Sequence, residues 1–484
     1  MLLTPGFLLR TETLPKGAVM SEQVSTEKKV HPLREIVQPF IDLVHAPRAL
    51  WGINVSYFFE GFVYFGMLGY LAMYFNEYVG LNDMYAGMMV GVLTWGITFS
   101  MFLFGGMADR WGARRALLVA LCMMLVGRVI MAAGPSLGGQ GAGLWSVVHL
   151  LALLGILFIV LGYGMYQPSA YTAVRQLTTP ATAGMGYAML YAVMNLGGWL
   201  PSFFTSIRKA VGIDGAYWIY AGLTTVGLIL TAIILSKKTY EKAMADVKAA
   251  AAKDGGVQAD AAKAEVKPVG PFSLLDWLKN HPLADWKFSL FIFALIPVQT
   301  LFAHNWLTIP MYVERAYAGT WLGDHFEFAS NLNPIMIFIL VPIVAALTYK
   351  NKVYNMMILG TFVMAAPTFL LALGPSPWTL GGFLLIMTIG EAMWQPRFLQ
   401  FAAEIAPEGR TGAYMGVAQF PWFLTKVITS LYSGWFLMHY CPKEGVPHTE
   451  QMWFIYGCIA MITPVMLVLL YGVLGKNFRT KHAG

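Results

Sequence analysis

The chain alternates long apolar runs with short polar stretches, and the runs are too long for the core of a soluble domain. Twelve of them can be marked off, at roughly 49–78, 84–108, 114–134, 146–176, 182–210, 214–236, 286–313, 331–349, 353–374, 378–406, 411–439 and 452–475. A helix needs about 20 predominantly apolar residues to cross a bilayer. Several runs exceed that, which predicts tilt or helical extensions beyond the membrane. The pattern therefore predicts an all-α polytopic membrane protein with twelve transmembrane helices.

The one long polar segment in the interior, residues 237–285, divides the runs six and six. Its AAAAKDGG and AAKAEVK stretches suit a helix-prone or unstructured linker. The expected organisation is a polar N-terminal segment (1–47), a six-helix bundle (48–236), the linker (237–285), a second six-helix bundle (286–475) and a short tail (476–484). A short amphipathic stretch around Leu33 to Val44 is expected to lie on the membrane surface.

Charge sets the orientation. Lys28, Lys29, Arg34 and Arg48 precede the first run, and Lys237, Lys238, Lys242 and Lys248 follow the sixth. Lys350 and Lys352 join the eighth and ninth, and Lys476, Arg479 and Lys481 follow the last. The opposite loops carry few cations, with Arg208, Lys209, Arg315 and Lys443 as exceptions. Cationic loops stay in the cytoplasm, so both termini are expected there, at the inner membrane if the source is bacterial. The net charge of +7 is then a property of loops and not a footprint for nucleic acid.

With 57% apolar and 12% charged residues, the composition is far from the roughly 25% charged of a soluble domain. Three scattered cysteines, Cys122, Cys441 and Cys458, offer neither a disulfide framework nor metal spacing. No P-loop or G-x-S-x-G string is present, so neither ATP drive nor an enzyme is expected, and no cofactor. No apolar stretch ending in a small-residue cleavage site opens the chain, so no cleaved signal peptide is expected.

Between the second and third runs stands GGMADRWGARR, Gly105 to Arg115. It combines a pair of small residues, one carboxylate (Asp109) and three arginines (Arg110, Arg114, Arg115). The string resembles the loop between helices two and three of the major facilitator superfamily. That resemblance implies two six-helix bundles with a solute site between them at mid-membrane, worked by alternating access. It also implies a cytoplasmic gate at Asp109, Arg110 and Arg114, with Asp109 capping or pairing across the closed side.

Further strings narrow the resemblance. They are FFEGFVYFGM (Phe58–Met67), GYGMYQPS (Gly162–Ser169), YAVMNLGGW (Tyr191–Trp199), SNLNPIMIFILVP (Ser330–Pro342) and GEAMWQPRFLQFAAEIAPEGRTG (Gly390–Gly412). In this order they are similar to the proton-coupled oligopeptide transporters, where the matching strings run E-x-x-E-R-F-x-Y-Y-G-M-R, G-x-G-x-x-K-P-N, Y-x-x-I-N-L-G, S-L-N-P-L-F and G-E-x-x-x-S-P-x-G. The resemblance implies a peptide or peptide-like solute, proton symport, and a cavity lined by Tyr64, Asn195, Asn333 and Glu391. Glu391 matches the glutamate that faces a peptide's amino group. The departures are specific. The family's first glutamate falls on Tyr57, its arginines on Gly61 and Leu68, and its lysine on Gln167.

The residues also argue for themselves. A carboxylate inside a bilayer costs about 2.5–3.5 kcal/mol on insertion scales, so Glu60 must face a cavity or a partner. It shares a helix face with Tyr64 four residues on. Glu60 is either a proton carrier or a neutral structural acid. Glu391 and Lys426 fall at matching depths on adjacent antiparallel runs, which predicts a switchable ion pair; the alternative is a lysine that snorkels. Glu60, Glu391 and Lys426 are the candidate proton-coupling set. Arg397, six residues past Glu391 and on a stripe with Glu404, is expected at a gate. Gln167, Gln299, Asn305 and Trp394 join the candidate solute-binding set. Trp199, Trp306 and Trp422 are placed either there or at packed helix contacts.

His304 could titrate or serve as a structural histidine. Arg128 and His149 are expected to snorkel near the outer ends of their runs. Prolines 168, 201, 297, 342, 396 and 421 mark where helices weaken. If Lys426 is held by Glu391, the cavity favours neutral or cationic solutes; if it is free, Lys426 receives a carboxylate. A different polar solute (sugar, amine, nucleoside) and a non-transporting membrane receptor remain as alternatives. The expected partners are a small solute, protons and lipid, with the chain acting as a monomer.

Overall fold

The computed structural model describes residues 41, 44–139, 141, 143–253, 281–324, 326–348, 350–407, 409–442 and 447–475. Most of the surface stretch Leu33–Val44, the linker from 254 to 280, the tail and the cations at 28, 29, 34, 443, 476, 479 and 481 lie outside these residues, as does the side chain of Trp306. Among the described residues the chain is helical and contains no strand.

The twelve apolar runs become twelve spans. Spans 1 to 6 are Arg48–Tyr74, Asp83–Phe104, Ala113–Gly138, Val147–Leu177, Pro180–Trp199 and Thr205–Ile234. A short helix, Met107–Trp111, lies between spans 2 and 3, and Lys237–Lys253 follows span 6. Span 7 is the pair Trp286–Ala294 and Ile296–Leu307, span 8 Phe326–Leu347, span 9 Val353–Ala365 and span 10 Pro377–Ile405. Span 11 is the pair Thr411–Ala418 and Phe420–Tyr440, and span 12 is Thr449–Leu469. Seven of these helices are long and apolar enough to cross a membrane by length and composition, and the bent pair of span 7 makes an eighth. Span 10 owes its polarity to Glu391, Arg397 and Glu404.

Helix starts carry their own caps. Asn82 accepts from the Tyr85 amide at 2.9 Å, Asp285 from those of Lys287 and Phe288, and Thr179 and Ser376 head capping boxes. Prolines mark the breaks. Pro297 and Pro421 sit in the first turn of the second helix of spans 7 and 11, where a missing N–H costs least. Pro168, Pro342 and Pro396 lie inside continuous helices instead. Spans 7 and 11 are broken in this way, the ninth run continues past Val353–Ala365 as Thr368–Leu371, and span 6 is kinked at Gly212; broken backbone at membrane depth is tolerated where it lines a cavity.

The outer surface is apolar, as a lipid-facing surface must be. Leu431, Trp435 and Met438 of span 11 are 79%, 51% and 64% exposed and follow one another at helical spacing. The protein is a multi-pass integral membrane protein. The face carrying the linker between spans 6 and 7 is called the linker side below.

Candidate functional site

The two halves are joined first at the linker side. Span 2 ends at Gly105, and span 11 opens with Gly412-x-x-x-Gly416. A Cβ at Gly412 would lie 2.6 Å from the Gly105 carbonyl oxygen, and one at Gly416 2.6 Å from that of Met101. The crossing is therefore backbone against backbone, which only small residues permit. Asp109 closes it. Its two carboxylate oxygens accept from the amides of Gly412 (2.9 Å) and Ala413 (3.0 Å). These are orphan donors of the first turn of Thr411–Ala418, whose own N-cap residue, Arg410, makes no side-chain cap. One bundle thus supplies the N-cap for a helix of the other.

Arg175, at the end of span 4, donates to the Thr411 hydroxyl and more weakly to the Ala406 carbonyl at 3.5 Å. Sequence reasoning passed over both Arg175 and the glycine spacing, although G-x-x-x-G in GAYMG was a readable signal. Arg114 does not reach the other bundle; it donates to the Leu235 carbonyl at the end of span 6. Arg110 lies on the short helix Met107–Trp111. Arg397 donates to the Thr348 carbonyl (2.8 Å) and to Gln400 (2.9 Å). Gln400 in turn donates to Glu404 at 2.8 Å, so the expected stripe of Arg397 and Glu404 is bridged by an amide.

Burial raises the Asp109 carboxyl from its ordinary value to about 6, against the pull of the Gly412 and Ala413 amides and of Arg410 and Arg175. A solvated aspartate titrates near 4. The group's value is thus raised in the closed arrangement, so its contribution to closure is complete below about 4 and lost as pH rises through about 6. Between those values the closed-to-open ratio should fall by up to tenfold per pH unit. Pulsed electron-spin distances between labels at the exposed Trp111 and Pro407 read this ratio. Asp109→Asn should flatten the dependence and favour opening, since an amide oxygen can serve only part of the two-donor site. A slope that survives the substitution assigns it to another group.

Deeper in the membrane, Glu391 of span 10 accepts from Tyr191 of span 5 (2.5 Å) and from Asn333 of span 8 (2.8 Å), and Asn333 also donates to Thr388 (3.1 Å). The carboxylate therefore binds both bundles at once. The expected ion pair of Glu391 with Lys426 is not formed. The Lys426 ammonium rests over the Trp422 ring at 3.7 Å and near that of Phe423 at 5.3 Å. Residue count along a helix does not fix the direction each side chain takes around it.

The same arithmetic would have found a pair that does form. Arg128 stands fifteen residues into span 3 and Glu60 twelve into span 1, two helices that run the same way. Arg128 is 1% exposed and does not snorkel. It grips both oxygens of Glu60, one at 2.8 Å, and donates to Thr224 of span 6 at 2.8 Å. Glu60 is consequently not alone in this arrangement.

The family's charged positions are refilled by aromatics and backbone. The Tyr57 hydroxyl donates to that of Tyr171 (3.0 Å), and its ring stacks on Tyr166 at 5.7 Å. A Cβ at Gly61 would lie 2.9 Å from the Met194 carbonyl, so spans 1 and 5 cross where the family holds an arginine, and no long side chain fits.

Other expected site residues divide into two groups. Tyr64 packs tilted against Tyr163 at 4.8 Å with its hydroxyl unpartnered. Gln167, Gln299 and Asn305 also keep buried polar atoms without a partner. Such atoms are costly unless water or a ligand meets them. Asn195 turns back to the Tyr191 carbonyl. Trp394 is a correction: fully buried, it fills the notch over Gly360 and donates to the Met364 sulfur, so it packs spans 9 and 10 and offers a solute no surface. His304 takes the structural role, with both ring nitrogens bound, to Thr308 (2.7 Å) and Tyr432 (3.1 Å). His149 does not snorkel: its Nδ1 accepts from the Trp145 amide at 2.9 Å.

Two six-helix halves, with polar groups left wanting partners between and within them, define the architecture of a membrane transporter. The profile of the Major Facilitator Superfamily matches residues 53–430, and the chain belongs to that family. Among curated relatives, the multidrug resistance protein MdtH of Photorhabdus laumondii is 20% identical over 402 residues, covering 83% of this chain and 88% of its own. The peptide transporter YePEPT of Yersinia enterocolitica is 23% identical over 196 residues, 39% of this chain and 36% of its own. Among solved structures, the proton:xylose symporter XylE superposes with a TM-score of 0.63 at 15% identity, covering 88% of this chain and 95% of the other. A peptide transporter POT in complex with sulfate gives 0.55 at 20% identity, covering 89% and 95%.

Proposed function

We propose that the protein is a proton-coupled secondary transporter of a small organic solute, peptide or peptide-like, with the linker side in the cytoplasm. The observation that carries this reading is the contact of Tyr191 with Glu391. It places a buried carboxylate on the seam between two halves that must separate for the site to open on one side. Protonation of Glu391 or Glu60 would release Tyr191 or Arg128, and so link proton uptake to the rearrangement. Asp109 and Arg175 hold the cytoplasmic side shut while the far side exchanges solute. The peptide assignment is supported by the ordered strings along spans 1, 4, 5, 8 and 10 and by the likeness to YePEPT.

The test uses proteoliposomes and L-alanyl-L-alanine. The wild type should accumulate the dipeptide under an inward proton gradient and exchange it without one. Glu60→Gln should lose accumulation at least tenfold while retaining exchange. Accumulation equal to the wild type's removes Glu60 from coupling, and failure to move the dipeptide in either mode removes the peptide assignment.

A further inference from the structure

Among the described residues, Arg128 and Arg397 are buried cations within the spans and Lys426 is a half-buried one, and the first two are committed. Arg128 is neutralised by Glu60, and Arg397 is bound to a carbonyl and an amide. Lys426 has no anion among the described residues. Among the described residues its ammonium meets the π faces of Trp422 and Phe423. A ring face offsets part of the cost of a desolvated cation and leaves its charge unneutralised.

Helical spacing places Lys426 away from lipid. Leu431, Trp435 and Met438 mark the lipid face of span 11. Trp422, Lys426, Thr429 and Ser433 follow one another at i, i+4, i+7 and i+11 on the opposite face. Thr429 and Ser433 are buried there, and Lys426 is half-buried. One turn before Trp422 the span breaks at Gln419, whose side chain is 6% exposed and whose Nε2 donor has no partner. An ammonium without an anion and an amide donor without an acceptor thus lie on the same inward stripe. Both ask for the same thing, a negatively charged acceptor.

We propose that Lys426, backed by Trp422 and aided by Gln419, is the subsite that receives a carboxylate of the transported solute. The carboxylate neutralises the ammonium in a weakly polarisable setting, where pairing is strong. The Trp422 ring carries the apolar part next to it. Glu391, hydrogen-bonded to Tyr191 and Asn333 but with no cation partner among the described residues, can meet a positive group of the same molecule, so the site favours solutes bearing both charges. This rests on the transporter reading, and it reverses the preference for neutral or cationic solutes that a Glu391–Lys426 pair would have imposed.

The experiment compares each acid with its amide on the full-length protein in detergent, by thermal shift: L-alanyl-L-alanine against L-alanyl-L-alaninamide, and lactate against lactamide. The acid of at least one pair should raise the melting temperature with an apparent affinity at least tenfold above its amide. Lys426→Gln should erase that advantage and Lys426→Arg should retain most of it. Should Lys426→Gln fail to fold, Trp422→Ala and Gln419→Leu carry the test, each expected to lower the acid's affinity more than the amide's. An amide that binds as well as its acid, an acid advantage that survives Lys426→Gln, or no shift from either acid overturns the proposal. Uptake of an amide or a sugar into proteoliposomes that is indifferent to Lys426 overturns it too, yet leaves the transporter reading standing; no uptake of any of these solutes removes both.

Discussion

Arg128→Met is expected to destabilise the folded transporter by about 3–5 kcal/mol, the usual cost of stranding one member of a buried ion pair. Glu60 would keep its carboxylate among Tyr64, Tyr163 and Tyr166 with its charge partner gone. The double variant Glu60→Gln with Arg128→Met should recover most of the loss, because a pair removed whole leaves no uncompensated charge. Melting curves of the purified variants give the cycle. If the single variants lose under about 1 kcal/mol each, the pair is not held as tightly as its geometry indicates. The double variant also separates two roles: stability should return while proton-driven accumulation does not.

Gly412→Val is expected to open the linker side and lower transport at least tenfold. The new Cβ would press on the Gly105 carbonyl oxygen at 2.6 Å and on the Ala108 Cβ at 2.9 Å. The first contact is backbone, which cannot rotate away. Overpacking of this kind costs about 1–3 kcal/mol, and it falls only on the state in which the bundles meet. Each 1.4 kcal/mol is tenfold in the equilibrium, so the closed population should drop by roughly tenfold to a hundredfold. The label pair at Trp111 and Pro407 should report the longer distance as dominant. Gly106→Ala is the control, since its Cβ would meet only that of Ala413 at 3.8 Å. A closed Gly412→Val protein would mean that the crossing is not the closing contact.

What was legible in the chain follows from what varies along one axis. Apolar length and loop charge do, so the twelve spans could be read from composition and spacing, whereas the expected latch at Asp109 came from the resemblance of its loop to that of a known family. Which way a side chain points around its helix does not. Glu391 and Lys426 fall at matching counts along their runs yet find different partners, while Arg128 and Glu60 meet with Thr224 across three helices. Trp394 shows the same limit, since nothing in its neighbours distinguishes a ring that lines a cavity from one that fills the notch above Gly360. Gly61 was visible as a missing arginine, but only the crossing of spans 1 and 5 explains why no arginine fits.

The eight residues Thr411–Ala418 belong by connectivity to the second bundle, yet their first turn is held by Asp109 and Arg175 of the first. Load therefore divides differently from chain. While the latch is made, this segment travels with its neighbours in the first bundle, and the displacement between the bundles has to be taken up at the joint Gln419–Pro421. Stiffness at that joint, more than the strength of the latch, then sets how far the two halves can part before the segment is pulled free, and the joint lies within two turns of Lys426. A solute seated on the lysine would sit near the pivot, where a small displacement becomes a larger one at the far end of the span.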